Sequence, residues 1–149
     1  MTIRWLFAAV HLLGLGVGLG SVWARSRAFR GALDAAGLRR VFITDIWWAV
    51  AGFIWVTTGL LRAFAGLEKG SQYYLSNHVF WLKMVLFITI VVLEFRTAPT
   101  IGRWRVGLRR GTPVDTSSAP TLARISEIQA FLVICIVFAA TAMARGFGS

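Results

Sequence analysis

The sequence predicts an all-α integral membrane protein, a single-domain bundle of four transmembrane helices. Of its 149 residues, 57% are hydrophobic, and the mean hydropathy is +0.70, whereas soluble domains are usually about 45–50% apolar. The apolar residues fall into four blocks, each close to the ~20 residues with which a helix crosses a bilayer. The predicted spans are about 3–23, 44–64, 80–97 and 125–144.

The first block has two interpretations, a retained helix or a cleaved signal peptide. Val22 and Ala24 resemble the small residues of a cleavage site. A signal peptide, however, carries its positive charge before the apolar core. Here only Arg4 precedes the core, and the arginines of residues 25–30 follow it. The sequence therefore favours a retained helix.

The connections between the spans differ in charge. The connections 24–40 and 98–124 are rich in arginine and are predicted to be basic loops, whereas residues 65–77 contain only Glu68 and Lys69 as charged residues. Basic residues favour the cytoplasmic side of membrane proteins. We therefore predict a bacterial inner-membrane protein with both basic connections in the cytoplasm and both termini outside.

The formal net charge of +10 would suggest nucleic-acid binding in a soluble protein. That function is disfavoured, because no basic surface with interleaved aromatic residues remains once the spans are removed. The sequence instead predicts the lipid bilayer as the partner, with anionic lipid headgroups in contact with the arginines. The single cysteine, Cys135, is expected to be a small packing residue in the last span.

Glycines of the first span form two faces. At 100° per residue, His11, Gly14 and Gly18 share one face, while Gly16 and Gly20 lie opposite. Small residues let membrane helices approach closely, so one interpretation is that these glycines only tighten helix crossings. In the other, the groove beneath His11 leaves room for a flat ligand. The face of Gly16 and Gly20 is a candidate surface for a homodimer.

Titratable residues within the spans fall into two groups by depth, and such residues indicate function by default. The group near the cytoplasmic face is interpreted as ion pairs. Asp45 is expected to pair with one arginine of the first loop or the helix ends beside it. The alternatives for the partner of Asp45 are Arg25, Arg39 and Arg40. Glu94 and Glu127 are expected to pair with Arg96 and Arg124.

The group in the outer half of the membrane predicts a haem site. Histidine in a helical bundle is a usual ligand of haem iron, so His11 is the candidate metal ligand, and Arg62 or Lys83 could pair with the propionates. Further candidates for contact with the cofactor are Gly14, Gly18, Trp55, His78, Phe80, Trp81 and Phe87. The alternatives are a neutral His11 bonded to a neighbouring helix and interfacial side chains that snorkel to the headgroups.

Several motifs resemble a bacterial family of membrane proteins, the domain of unknown function 2214. They are the run from Tyr73 to Lys83 (YYLSNHVFWLK), Arg27–Arg30 (RAFR), Thr58–Arg62 (TGLLR) and Ala144–Gly146 (ARG). The chain is also similar, more distantly, to the HemJ-type protoporphyrinogen IX oxidases and to bundles related to the copper-resistance protein CopD. The HemJ-type resemblance implies haem b, with His11 and Lys83 as functional residues and Lys83 as the catalytic one.

The leading prediction is thus a small membrane protein that binds haem b or a related porphyrin through His11, with a redox or haem-handling role. If it is an enzyme, the expected class is a HemJ-like membrane oxidoreductase. The alternative is a non-enzymatic membrane scaffold or a small-solute carrier. Copper handling is less favoured, because copper sites need several methionine and histidine ligands close together.

Overall fold

In the computed structural model, which describes residues 2–64 and 75–148, the chain folds into four long helices. They are α1 (Thr2–Arg30), α2 (Ala35–Phe64), α3 (His78–Arg110) and α4 (Ala119–Ala144). Each is long and apolar enough to cross a membrane. The prediction of an all-α bundle with four membrane-crossing helices is confirmed. Glu68 and Lys69 lie outside the described residues, as do Tyr73 and Tyr74 of the quoted motif.

The prediction of a basic loop over residues 24–40 is wrong. α1 continues to Arg30 and α2 begins at Ala35, so only residues 31–34 connect them. In the same way α3 continues through Pro99 to Arg110. Arginine is a good helix former, and the charge that marks the end of an apolar block therefore need not end the helix. The loop predicted after Arg110 is present, since residues 111–118 are not helical.

The helices alternate in direction, which gives the bundle two distinct ends. The end that carries the connections 31–34 and 111–118 is called the basic end, and the end with both termini is called the terminal end. α1 packs extensively against α2 and α4, and α4 packs against α3, whereas α2 and α3 touch least among the neighbouring helices. The seam between α2 and α3 is thus the loosest in the bundle.

A hydrophobic cluster closes the basic end. The buried Phe29 of α1 meets the buried Trp104 of α3 edge to face, with 5.9 Å between ring centroids. The other buried members are Leu38, Val41, Phe42, Ile101, Ala119, Leu122, Ala123 and Ile125. These residues come from the arginine-rich segments, and their burial explains why those segments are helical. By contrast, large apolar side chains such as Phe53 and Phe95 are 73% exposed, as expected for a lipid-facing surface.

The C-terminal tail is attached to the start of α3 at the terminal end. The side chain of buried Asn77 caps α3 by accepting hydrogen bonds from the backbone N–H groups of Val79 and Phe80, at 2.9 and 3.2 Å. Its Nδ2 donates to the carbonyl of Phe147 at 3.1 Å. Gly148 has a φ of +85°, and a Cβ there would lie 2.6 Å from Val79 Cγ2. A glycine is therefore needed where the tail meets α3.

Candidate functional site

The most unusual side chain in the bundle is Arg25 of α1, which is completely buried at a relative exposure of 0%. An arginine has five N–H donors, and here every one is used. Nε donates to Ser126 at 3.2 Å, Nη1 donates to Asp45 and Glu94, and Nη2 donates to Glu94 and Gln129, at distances of 2.8–3.0 Å. Arg25 thus binds groups from all three other helices.

Glu94 of α3 is the main partner of Arg25. Its two carboxylate oxygens accept a bidentate pair from the guanidinium, at 2.9 and 3.0 Å, which is a strong and geometrically specific form of ion pair. Oε2 also accepts from Trp48 Nε1 and Gln129 Nε2, at 3.0 and 2.9 Å. The Trp48 ring lies 5.7 Å from the Arg25 guanidinium carbon, within cation–π range. We call Arg25, Asp45, Trp48, Glu94, Ser126 and Gln129 the Arg25 cluster.

The charges around the Arg25 cluster balance. Asp45 of α2 accepts from Arg25 at 2.8 Å through one oxygen and from Arg105 at 3.4 Å through the other. Two carboxylates, those of Asp45 and Glu94, thus face two arginines. In the described part of the chain, no buried side-chain nitrogen or oxygen is left without a hydrogen-bond partner. A buried polar network of this kind is stable only when each member is satisfied.

The Arg25 cluster lies toward the basic end of the membrane-crossing region. Glu94 follows His78 by 16 residues, which is ~24 Å along a helix. Gln129 precedes Ala144 by 15 residues, or ~22 Å. Since the hydrocarbon core is ~30 Å thick, these groups are expected within it, in the third nearest the basic end. Charged groups at that depth require mutual pairing.

Some of the expected ion pairs are correct and others are not. Asp45 does pair with Arg25, one of the three partners considered. The pairing of Glu94 with Arg96 is wrong, because Glu94 points into the bundle toward Arg25, while Arg96 is exposed. Glu127 binds Arg30 and Ser26, both at 2.9 Å, rather than Arg124. Sequence reasoning missed Trp48, Ser126 and Gln129 because they carry no charge.

His11 is held between α1 and α2. Its Nδ1 forms a 2.8 Å hydrogen bond with Thr58 Oγ1, and its ring stacks on Trp55 with 5.8 Å between centroids. Gly59 lies against the same edge of the ring, where an added Cβ would be 3.3 Å from His11 Cε1 and 3.9 Å from Nδ1. Trp55 in turn meets Phe87 of α3 edge to face at 5.8 Å. The structure thus brings together His11, Thr58, Trp55 and Phe87.

The glycine face beneath His11 is filled by α2. A Cβ on Gly14 would lie 3.2 Å from Ile54 Cγ2, and one on Gly18 would lie 3.5 Å from Ala51 Cβ. These glycines therefore allow α1 and α2 to approach closely. Gly16 and Gly20, by contrast, have no atom within 4 Å of such a Cβ. They line a surface groove of about 600 Å³ between α1 and α4, and a homodimer through it stays a prediction.

The remaining candidates for the haem site lie at the terminal end. Lys83 is half-buried, with Nζ 5.8 Å from the centroid of Phe80. Arg62 is half-buried near the end of α2, and His78 is exposed at the start of α3. Trp81 is 52% exposed, and its Nε1 donates to the carbonyl of Leu75 at 3.0 Å. His78 and Trp81 therefore lie at the surface of the described bundle.

Comparison with known proteins gives one result. A family model described as a predicted membrane protein, DUF2214, matches residues 3–148. The chain belongs to this family. No curated protein and no solved structure matches it, so the DUF2214 match establishes a membrane protein and no activity. The more distant similarity to HemJ-type and CopD-like proteins stays a prediction.

Proposed function

We propose that this DUF2214 protein is a non-enzymatic membrane scaffold in which the Arg25 cluster fixes the arrangement of the four helices. One observation carries the proposal: all five N–H groups of a fully buried arginine bind groups of the other three helices. An arginine satisfied in this way has no donor left for a substrate. Its hydrogen bonds instead couple the positions of all four helices to one another.

We further propose that the basic end faces the cytoplasm of a bacterial inner membrane and that both termini face outside. The support is the distribution of arginine, which is concentrated in the segments around the connections 31–34 and 111–118. Such residues are retained on the cytoplasmic side during insertion.

A small-solute carrier is the nearest competitor of the scaffold, and the two differ in whether the Arg25 cluster opens. In a carrier the cluster would be a closed gate, and the cycle would have to separate Arg25 from Glu94. In a scaffold the cluster stays closed. Accessibility of a buried position therefore distinguishes them without knowledge of the solute.

Ser126, which is fully buried and accepts from Arg25 Nε, is the position to probe. In a variant with Cys135→Ala, we expect Ser126→Cys to react with a membrane-impermeant maleimide at least ~10-fold more slowly than Thr121→Cys, because buried sites react only through rare opening. Thr121 is exposed five residues earlier in α4 and is the matched control. Equal labelling rates at the two positions would contradict the scaffold proposal and favour a small-solute carrier.

The second candidate function is the binding of haem b at the terminal end, with Lys83 as the catalytic residue if the protein is an oxidoreductase. The bond between His11 Nδ1 and Thr58 Oγ1 favours it. The Thr58 hydroxyl donates to the carbonyl of Ile54, so Nδ1–H can donate to Thr58, as the second nitrogen of an iron-ligating histidine usually does. The space beside His11 is too small for a porphyrin, however. Trp55 covers the imidazole, and Ile54 and Ala51 cover the glycine face. A porphyrin there would require α2 to move away from α1.

A visible spectrum tests this candidate directly. After haem is added to the protein in mild detergent, the scaffold proposal expects no Soret band that depends on His11. The matched comparison is His11→Ala against His78→Ala, since His78 is exposed and outside the α1–α2 contact. A band that His11→Ala abolishes and His78→Ala preserves would overturn the scaffold proposal in favour of haem binding.

A further inference from the structure

A cleft of about 610 Å³ lies at the basic end between α3 and the connection to α4. We call it the α3–α4 cleft. Two arginines, Arg103 and Arg110, line it, and both are exposed. Arg103 Nη2 donates to the hydroxyl of Thr100 at 3.1 Å. Within residues 2–64 and 75–148, neither guanidinium lies in an ion pair with a carboxylate. Both can therefore bind an anion.

The connection 111–118, which forms the wall of the cleft opposite α3, is well structured. Gly111, with a φ of +67°, ends α3, and the N–H of Thr112 donates back to the carbonyl of Gly107 at 3.1 Å. Val114 then packs on Gly107, where an added Cβ would lie 3.1 Å from Val114 Cγ2. The loop is thus folded back along α3, which keeps the cleft open beside the two arginines.

One carboxylate, that of Asp115, also lines the α3–α4 cleft. Backbone and side-chain hydrogen bonds from Ser117 lower the pKa of Asp115, and the backbone bond measures 2.9 Å. Asp115 is therefore ionised, and its carboxylate accepts hydrogen bonds from Ser117 of the same loop. The two arginines still leave the cleft with a net positive charge.

The surroundings of the cleft are also strongly basic. Arg25, Arg30 and Arg105 are neutralised by Asp45, Glu94 and Glu127. The one further carboxylate of the described basic end besides Asp115 is that of Asp34, which accepts from the N–H of Gly37. The other arginines of the basic end form no ion pair with any described residue. They are Arg27, Arg39, Arg40, Arg96, Arg103, Arg109, Arg110 and Arg124. Such an end attracts anions, and the nearest abundant anions to a membrane protein are lipid phosphates.

The depth of the cleft fits a lipid headgroup. Thr100, at one end of it, follows His78 by 22 residues, which is ~33 Å along α3 and close to the ~30 Å thickness of the hydrocarbon core. The run of exposed large apolar side chains on α3 ends nearby at Phe95, and beyond it Val106, at the cleft, is the one large apolar side chain of α3 that is exposed. We infer that the α3–α4 cleft binds the phosphate of an anionic phospholipid headgroup through Arg103 and Arg110.

Binding of a soluble, short-chain phosphatidylglycerol below its micelle concentration tests the assignment. The full chain is held in a neutral detergent, and the number of bound lipids is read by native mass spectrometry. We expect saturable binding to the unmodified protein. The double variant Arg103→Gln/Arg110→Gln should bind at least ~10-fold more weakly, because each arginine–phosphate contact is charge-assisted. Helix content and elution volume should not change, since both side chains are exposed.

The matched control is Arg39→Gln/Arg40→Gln, which removes the same charge from two exposed arginines outside the cleft. It should bind the lipid as the unmodified protein does. Equal weakening in both double variants, or no saturable binding at all, would overturn the assignment. Inorganic phosphate and short-chain phosphatidylcholine are tested in parallel. Saturable binding of inorganic phosphate without binding of phosphatidylglycerol would assign the cleft to a soluble phosphate and overturn the lipid assignment.

Discussion

Replacing Arg25 with methionine is expected to lower the free energy of unfolding by about 3 kcal/mol, because the change leaves the partly buried carboxylate of Glu94 without its arginine. Glu94 loses its bidentate partner, whereas Asp45 retains Arg105. Ser126 and Gln129 each lose a hydrogen bond as well. The measurement is denaturant-induced unfolding in mild detergent, followed by far-UV circular dichroism.

The double variant Arg25→Met/Glu94→Gln separates the charge of the pair from its packing. Removing both charges of a buried pair is often nearly neutral for stability. We therefore expect the double variant to regain most of the stability lost in Arg25→Met. A double variant that is as unstable as Arg25→Met would show that the unpaired charge of Glu94 is not the source of the loss.

Arg30→Met provides the matched control for the loss of one arginine from α1. Arg30 pairs with Glu127 in a half-exposed position, with side-chain exposures of 42% and 36%. Exposed pairs contribute only about 0.2–1 kcal/mol, so Arg30→Met should be far milder than Arg25→Met. Equal losses of unfolding free energy in the two variants would mean that burial does not make the Arg25 ion pair more important for stability than the Arg30 pair.

The fold could be predicted because four apolar blocks of sufficient length are visible in the sequence without any knowledge of packing. The helix ends could not be placed from the same signal. Arginine marks where an apolar block stops, but α3 continues for 15 residues after Phe95 because Ile101 and Trp104 still have a hydrophobic cluster to join. Hydropathy identifies the residues that cross the bilayer. It does not show where helices continue because they pack against one another outside the bilayer.

The candidate site was predictable only in part, for a related reason. Glu94 and Asp45 were recognisable as titratable residues in apolar blocks, but their partners depend on how each helix is rotated in the bundle. Arg25 follows the first apolar block directly, where an arginine indicates topology, and the sequence does not distinguish it from Arg39 and Arg40 as the partner of Asp45. A usable signal was present in α4, where Ser126 and Gln129 lie one turn apart on the same face as the apolar Val133, and all three are buried. A polar pair on a buried face predicts a partner on another helix.

At the terminal end, Asn77→Ala is expected to lower the free energy of unfolding by about 2 kcal/mol. The change removes the cap of α3, which typically contributes about 1 kcal/mol, and leaves the carbonyl of Phe147 without its donor, at a similar cost. Asn77 is completely buried, so water cannot easily replace its amide. Unfolding in mild detergent measures the total effect.

Asn77→Ser divides that effect into its two parts. A serine oxygen can still accept from the N–H groups of Val79 and Phe80, but its side chain is too short to reach Phe147. We expect Asn77→Ser to lose only about half as much stability as Asn77→Ala. Both variants should nevertheless loosen the tail, and trypsin cleavage after the exposed Arg145 reports this. If the cleavage rate does not rise in Asn77→Ser, the tail is held by the bond from His78 N–H to Gly148 O and by the packing of Gly148, without help from the Asn77 amide.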